Sequence, residues 1–182
     1  MSMHTPIQTG ESSAQGPSTA YSPLRPPGPI DLHLDANETL IPSVDVASIA
    51  ADMGLSAAAR YPSAAALEAA IALRLGVEAA RVLVTAGGDE AIDRACRAFL
   101  KPGAELILPV PTFEMIERYA QLTQAKVIPV PWREGPFPTQ AVIDQVNQRT
   151  AMIAIVSPNN PTGAVAQAED LQKISASVPH AT

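Results

Sequence analysis

Residues 81–110 read RVLVTAGGDEAIDRACRAFLKPGAELILPV, and the fold class follows from this stretch. Residues 81–85 form a β-branched run typical of a strand, and two glycines and an amphipathic helical segment come after it. Pro102 and Gly103 are expected to end that helix, and residues 105–108 form a second strand-like run. Two strands joined by a helix-length crossover make a β–α–β unit, in which the strands run parallel.

The same alternation continues toward the C-terminus. Thr112 is placed to cap a helix after the second strand, and Pro129 inside the third strand favours a sheet edge. The fourth strand is apolar throughout, as expected of a strand buried on both faces. The predicted elements are a strand at 126–130, a helix at 139–149, a strand at 151–156 and a helix at 167–177.

Two helices are predicted before the first strand. Ser43 is a suitable N-cap for a helix that Gly54 ends, and Ser63 precedes an alanine-rich helix at 64–75 that Gly76 ends. The predicted architecture is therefore α/β, with helices packed on a mostly parallel sheet.

Residues 1–30 differ in composition from the rest of the chain. They hold six of the 18 prolines, and Gly, Ser and Thr fill most of the remainder. Such a segment buries too little apolar area to offset its ordering entropy, so we expect a disordered leader.

Composition and charge exclude several classes of function. The 182 residues are 47% hydrophobic, carry a net charge of −6 and contain no Lys/Arg cluster, which argues against nucleic acid or an anionic membrane as partner. The single cysteine, Cys96, and the scattered histidines provide no metal site. Neither a membrane-spanning apolar run nor a secretory signal is recognisable, so a cytoplasmic location is expected.

Two segments at predicted strand ends are candidates for ligand binding, since open parallel sheets bind ligands at the carboxyl ends of their strands. In the first, Gly87 and Gly88 let the backbone approach a ligand, and the following helix N-terminus suits a phosphate. The alternative is a tight turn in which Asp89 only caps the helix. The second, Ser-Pro-Asn-Asn-Pro-Thr-Gly at 157–163, predicts a rigid loop that presents an amide side chain, with an X-Pro bond that could be cis.

The second segment resembles the Asn-Pro-x-Gly loop of fold-type I, pyridoxal-phosphate-dependent aminotransferases of class I/II. The wider pattern is most similar to the histidinol-phosphate aminotransferase branch. Matching pieces occur in the family's order from residue 31 to residue 182: Leu-Asp-Ala-Asn-Glu at 34–38, Arg-Tyr-Pro at 60–62, Thr-Ala-Gly-Gly-Asp-Glu at 85–90 and Pro-Thr-Phe at 111–113.

The resemblance implies a domain organisation. Residues 31–76 would form an N-terminal arm with small-domain elements. Residues 77–182 would form the first half of an aspartate aminotransferase-like large domain, truncated before its end.

The resemblance also assigns residues to the cofactor, pyridoxal 5′-phosphate. The backbone N–H groups of Gly88 and Asp89 would hold its phosphate, with the Asp89 carboxylate acting as a helix cap. Phe113 would stack on the pyridine ring, and Asn160 would donate to the phenolate oxygen O3′. Tyr61 would reach the partner subunit's cofactor phosphate across a homodimer interface.

The implied activity is amino-group transfer between histidinol phosphate, or an amino acid, and 2-oxoglutarate. Asn37 would lie in the arm that helps to cover the substrate. The Schiff-base lysine of the family is absent, since Lys101, Lys126 and Lys173 all lie outside its Ser-x-x-Lys context. No catalytic residue is therefore assigned, and the chain as given is expected to be inactive.

Two alternatives remain open from the sequence. One is a different reaction on the same fold, such as decarboxylation of a phosphorylated amino acid. The other is a non-catalytic remnant that binds a phosphate ligand or nothing.

Overall fold

The computed structural model describes residues 45–178, except for the side chains of residues 55–58. The expected leader, Asn37 and Ser43 lie outside the described residues. The chain divides into two compact units between Tyr61 and Pro62, and each is described by itself.

The first unit contains helix α1, Val46–Ala58. Its N-cap is Asp45, whose carboxylate oxygen Oδ1 accepts from the N–H groups of Ala47 and Ser48 at 3.1 Å each. The expected cap at Ser43 is therefore wrong, because a carboxylate nearer the helix satisfies its first amides. Gly54 interrupts the helix with φ 65° and ψ 164°, but helical residues continue beyond it.

The second unit begins with helix α2, Ala65–Leu75, which ends as predicted at Gly76. Gly76 takes the left-handed conformation, φ 67°, and its N–H donates to the carbonyls of Ala72 and Leu73. A 3₁₀ turn at Ala79–Arg81 follows.

Val82 has an extended backbone, but the strand predicted at 81–85 is not formed within the described part of the chain. The Val84 N–H donates to Glu68 Oε1 at 3.0 Å instead of to another strand. A strand exists only where a neighbour supplies the ladder of hydrogen bonds, and no described segment lies alongside this one.

Three parallel strands form the sheet: β1 is Glu105–Val110, β2 is Lys126–Pro131 and β3 is Thr150–Ile153, in the order β2-β1-β3. The three predicted strands after residue 100 are thus confirmed, and β2 is at an edge of the described sheet, as Pro129 indicated.

Hydrogen bonds from Lys126 N to Ala104 O (2.8 Å) and from Trp132 N to Val110 O (2.6 Å) show which backbone groups of β2 face β1. The backbone N–H and C=O groups of successive residues in a strand point to opposite sides. The backbone groups of Pro129 and Pro131 therefore point away from β1.

β3 ends earlier than the predicted 151–156. Ala154 N still donates to Ile107 O at 3.1 Å, but the next donor on β1 would be residue 109, a proline without an N–H. Residues 151–156 are half-buried rather than buried on both faces, because the outer edge of β3 has no described neighbour.

Helices cover both faces of the sheet. Helix α3 is Gly87–Phe99, α4 is Glu114–Leu122, α5 is Thr139–Asp144 and α6 is Ala168–Ser177. Helix α5 is shorter than the predicted 139–149, because Asn147 N donates to Thr150 Oγ1 at 3.0 Å and Asn147 Oδ1 accepts from Arg149 N at 2.9 Å.

The central strand β1 contributes to two apolar cores, one on each face of the sheet. Leu106 and Leu108 pack with α3 and α4, in a core that also holds Cys96, Leu100, Ile116 and Ala120. Ile107 packs on the opposite face with α5 and α6, in a core that also holds Val130, Trp132, Phe137, Val142, Ile174 and Val178. No helix within residues 45–178 is both long enough and apolar enough to cross a bilayer.

Candidate functional site

Two loops meet at the carboxyl edge of the sheet. Residues 111–113 connect β1 to α4, and residues 157–163 follow the extension of β3. Asn159 joins them, since its side chain donates to Pro111 O and accepts from Thr112 Oγ1, both at 2.8 Å. Sequence reasoning assigned Asn159 no role, although its position between two prolines in an Asn-Asn pair marks a residue whose backbone is tightly constrained.

Phe113 is the N-cap residue of α4 and is half-buried against the core shared with α3. The expected cap at Thr112 is wrong: α4 has no side-chain cap, and the Thr112 hydroxyl is used by Asn159.

Asn160 is half-buried, and within residues 45–178 its side chain makes no hydrogen bond. Its amide is therefore free to contact a ligand. The peptide bonds before Pro158 and Pro161 are both cis, as anticipated for an X-Pro bond in this loop.

Helix α3 begins with unsatisfied backbone donors. Its N-cap is Ala86, and the N–H groups of Gly88 and Asp89 have no acceptor among the described residues. Gly88 has open space around it, because a Cβ added there would meet no atom within 4 Å. The first turn of α3 thus has free donors and room for an anion.

Acidic side chains surround this turn. Asp89 makes no hydrogen bond to a described residue, so the expected capping role of its carboxylate is wrong. No side chain caps this helix; Glu90 instead bonds back to the N-cap residue, since its carboxylate accepts from the Ala86 N–H and pairs with Arg94 at 2.6 Å. These two contacts, the backbone one first, hold the pKa of Glu90 below its usual value.

Partial burial, followed by the negative charges of Asp89 and Asp93, raises the pKa of Tyr119 on α4. An anion at this helix terminus would meet attraction from the amides and repulsion from Asp89.

An apolar cavity of about 370 Å³ lies between α3 and β3 with its extension, and residues of both line it. Ile92 of α3, one turn after Gly88, lines it together with Val156, which directly precedes the 157–163 loop. The other lining residues are Ala95, Cys96, Ile116, Met152, Ala154 and Ile155.

The other two predicted site residues, Tyr61 and Asn37, lie outside the described part of the second unit. Tyr61 is fully exposed, at 101% relative accessibility, and belongs to the first compact unit. Asn37 precedes the described residues.

Residues 31–181 match the family model described as aminotransferase class I and II. The chain belongs to this family. The chain resembles curated histidinol-phosphate aminotransferases, among them that of Granulibacter bethesdensis, with 33% identity over 81% of this chain and 40% of that protein. The chain thus spans between about a third and two fifths of the length of the curated relatives it matches.

Solved structures of aminotransferases have the same fold. N-succinyldiaminopimelate aminotransferase from Mycobacterium tuberculosis matches with a TM-score of 0.64 and 31% identity, over 72% of this chain and 38% of that one. A Thermus thermophilus aspartate aminotransferase variant matches with a TM-score of 0.62 and 26% identity, over 72% and 40%. The predicted aspartate aminotransferase-like α/β fold is confirmed. The names of these relatives specify different substrates, so the fold alone does not select one.

Proposed function

We propose that this chain is part of a pyridoxal 5′-phosphate-dependent aminotransferase of the histidinol-phosphate type. The reaction is amino-group transfer between histidinol phosphate, or an amino acid, and 2-oxoglutarate. The family supports the reaction class, and the names of the curated relatives support histidinol phosphate as the amino donor. The observation that carries the proposal is the pair of free amides at the start of α3, near the loops at the carboxyl edge of the sheet.

In this proposal the phosphate of the cofactor binds the N–H groups of Gly88 and Asp89. Two unpaired donors at the positive end of a 13-residue helix suit a dianion, and the space around Gly88 can accept it. The Asp89 carboxylate points into solvent in this arrangement and limits the affinity by repulsion.

Phe113 and Asn160 contact the pyridine ring. Bound pyridoxal phosphate supplies an electron sink that stabilises negative charge developing on the substrate carbon. Phe113 orients the ring by stacking, and the Asn160 amide donates to the phenolate oxygen O3′. The structure fits these roles in that both side chains are half-buried and the Asn160 amide is unpaired among described residues.

The remaining roles concern the dimer and the substrate. Tyr61 binds the partner subunit's cofactor phosphate in a homodimer, which its exposure permits. Asn37 covers the substrate from the arm formed by residues 31–76, while residues 77–182 form half of the cofactor domain. The protein acts in the cytoplasm.

Binding of pyridoxine 5′-phosphate tests the phosphate site. This probe carries the ring, the phenolic oxygen and the phosphate but no aldehyde, so surface lysines cannot capture it covalently. Gly88→Leu should raise the Kd of the probe and of inorganic phosphate at least about tenfold, because the side chain fills the space above the two amides. Isothermal titration calorimetry measures both constants.

Ala91→Leu is the matched control, since Ala91 is exposed one turn further along α3. It should leave both dissociation constants unchanged. Equal binding by wild-type and Gly88→Leu chains, or no binding by the wild type, would refute the proposed site.

A further inference from the structure

Asn159 is the most fully hydrogen-bonded residue of the carboxyl edge. It is 3% exposed, and its side-chain Nδ2 donates to Pro111 O and to Thr162 Oγ1, each at 2.8 Å. Its Oδ1 accepts from Thr112 Oγ1 at 2.8 Å. Both amide protons and the carbonyl oxygen of the side chain are therefore satisfied inside the protein.

The backbone of Asn159 is equally constrained. Its N–H donates to Ala164 O at 2.7 Å, and its carbonyl accepts from Gly163 N at 2.6 Å. These bonds close the 157–163 loop upon itself, while the side chain fixes that loop to residues 111 and 112.

The partners of Asn159 adjoin the two side chains that the proposed function places on the cofactor ring. Thr112 directly precedes Phe113, and Asn159 directly precedes Asn160. The hydrogen bond between Thr112 and Asn159 spans 47 residues of sequence, so one amide fixes the relative position of two otherwise independent loops.

We infer that Asn159 is a positioning residue that holds Phe113 and Asn160 at the spacing needed to grip one planar ring between a stacking face and an amide donor. This inference rests on the proposed function. The effect is on ring recognition alone, because the free amides of Gly88 and Asp89 belong to α3 and make no hydrogen bond to Asn159.

The experiment compares two ligands on the same full chain. Asn159→Ala should raise the Kd of pyridoxine 5′-phosphate about tenfold, the loss of roughly one well-formed contact, and leave the Kd of inorganic phosphate unchanged. A role limited to general structure would weaken both ligands together, so the ratio of the two constants separates positioning from folding.

Thr112 provides a second pair of variants. Thr112→Val removes the hydroxyl that donates to Asn159 Oδ1 and should change the ratio of the two constants in the same direction. Thr112→Ser keeps a hydroxyl at this position and should leave that ratio at its wild-type value. Amide hydrogen exchange at Gly163 should also become faster in Asn159→Ala.

Unchanged binding of pyridoxine 5′-phosphate by Asn159→Ala would overturn the inference alone, and so would an equal loss for both ligands. Failure of the wild-type chain to bind the probe would refute the proposed function, and this inference with it.

Discussion

Among single residues, Glu105 is the one charged residue of the described sheet that is buried. It begins the central strand and is 2% exposed. Its Oε1 accepts from Arg149, at 2.9 Å from Nε and 2.8 Å from Nη2, and its Oε2 accepts from Asn147 Nδ2 at 2.7 Å. These contacts join the amino ends of β1 and β3, at the edge opposite the candidate site.

Glu105→Gln should lower the free energy of unfolding by about 1–2 kcal/mol at pH 7. An amide keeps the shape of the carboxylate but presents a donor to Asn147 or Arg149, which are themselves donors. Arg149 is largely exposed, so solvent screens part of the ion pair and the loss stays modest. Urea denaturation followed by fluorescence of the single tryptophan, Trp132, measures the difference.

The pH dependence of this difference has a definite sign. The Asn147 amide, and then the Arg149 guanidinium, lower the pKa of Glu105 below its ordinary value of 4.5. A carboxyl with a depressed pKa stabilises the fold above its unfolded-state pKa, and that contribution is lost as the pH falls through the folded-state pKa. The wild type and the variant should therefore converge below about pH 4.5.

Glu134→Gln is the control for both measurements, because Glu134 is exposed and outside this network. It should change stability by less than about 0.5 kcal/mol. A Glu105→Gln effect that is independent of pH would show that the charge is not what stabilises the strand ends.

For the individual elements, the start of α6 illustrates how one side chain can stabilise two helices. Gln167 and Asp170 form a capping box, in which Asp170 Oδ2 accepts from Gln167 N at 3.0 Å. The other carboxylate oxygen accepts from the Thr139 hydroxyl at the start of α5. Asp170 thus fixes the first turns of α5 and α6 to each other.

Asp170→Ala should lower the free energy of unfolding clearly more than its control does, because it removes a cap and a contact between helices. Glu169→Ala changes an exposed acid in the same turn and should cost less than about 0.5 kcal/mol. Thermal and urea unfolding of the two variants provide the comparison. Equal losses would mean that only the helix-dipole charge matters.

Local patterns predicted the existence of most elements but not all of their ends. Gly76 and Pro129 act through their own backbone geometry, so their effects were readable from the sequence. The end of β3 depends on Pro109 of the neighbouring strand, and α5 ends because Asn147 bonds to Thr150. Such ends depend on contacts that only the assembled structure supplies.

The same division applies to the candidate site. The loop at 157–163 and the two glycines that begin α3 have recognisable patterns, and both occur at the ends of elements where the sequence predicts them. Asn159 was missed because its role depends on residues 111 and 112, which are distant in sequence. The prediction that Asp89 caps α3 is wrong, because the sequence does not show that the neighbouring Glu90, and not Asp89, turns back to the Ala86 N–H.

For the whole molecule, the position of the lysines bears on whether these 182 residues can transaminate by themselves. Lys126 begins β2, and Lys101 follows the end of α3, about 20 Å from the first turn of that 13-residue helix. Lys173 is exposed on α6. None of the three adjoins the loops of the candidate site.

Incubation with pyridoxal 5′-phosphate and reduction with borohydride should therefore leave no site-specific adduct on these lysines. Peptide mapping by mass spectrometry should find the same low labelling in the folded chain and in the urea-unfolded chain. Histidinol phosphate and 2-oxoglutarate should yield no glutamate above the rate with cofactor alone. A stoichiometric adduct on Lys101, Lys126 or Lys173 would contradict the prediction.

The outward-facing prolines of β2 have a consequence for aggregation. Of the three residues whose backbone points away from β1, Val127 alone retains an N–H, because the other two are Pro129 and Pro131. A fibril grows only if every copy can accept a strand on both sides. Two copies can still pair through their β3 edges. Both outer edges of such a pair are β2 strands, whose prolines cannot donate hydrogen bonds to a further strand. Elongation therefore stops at the dimer.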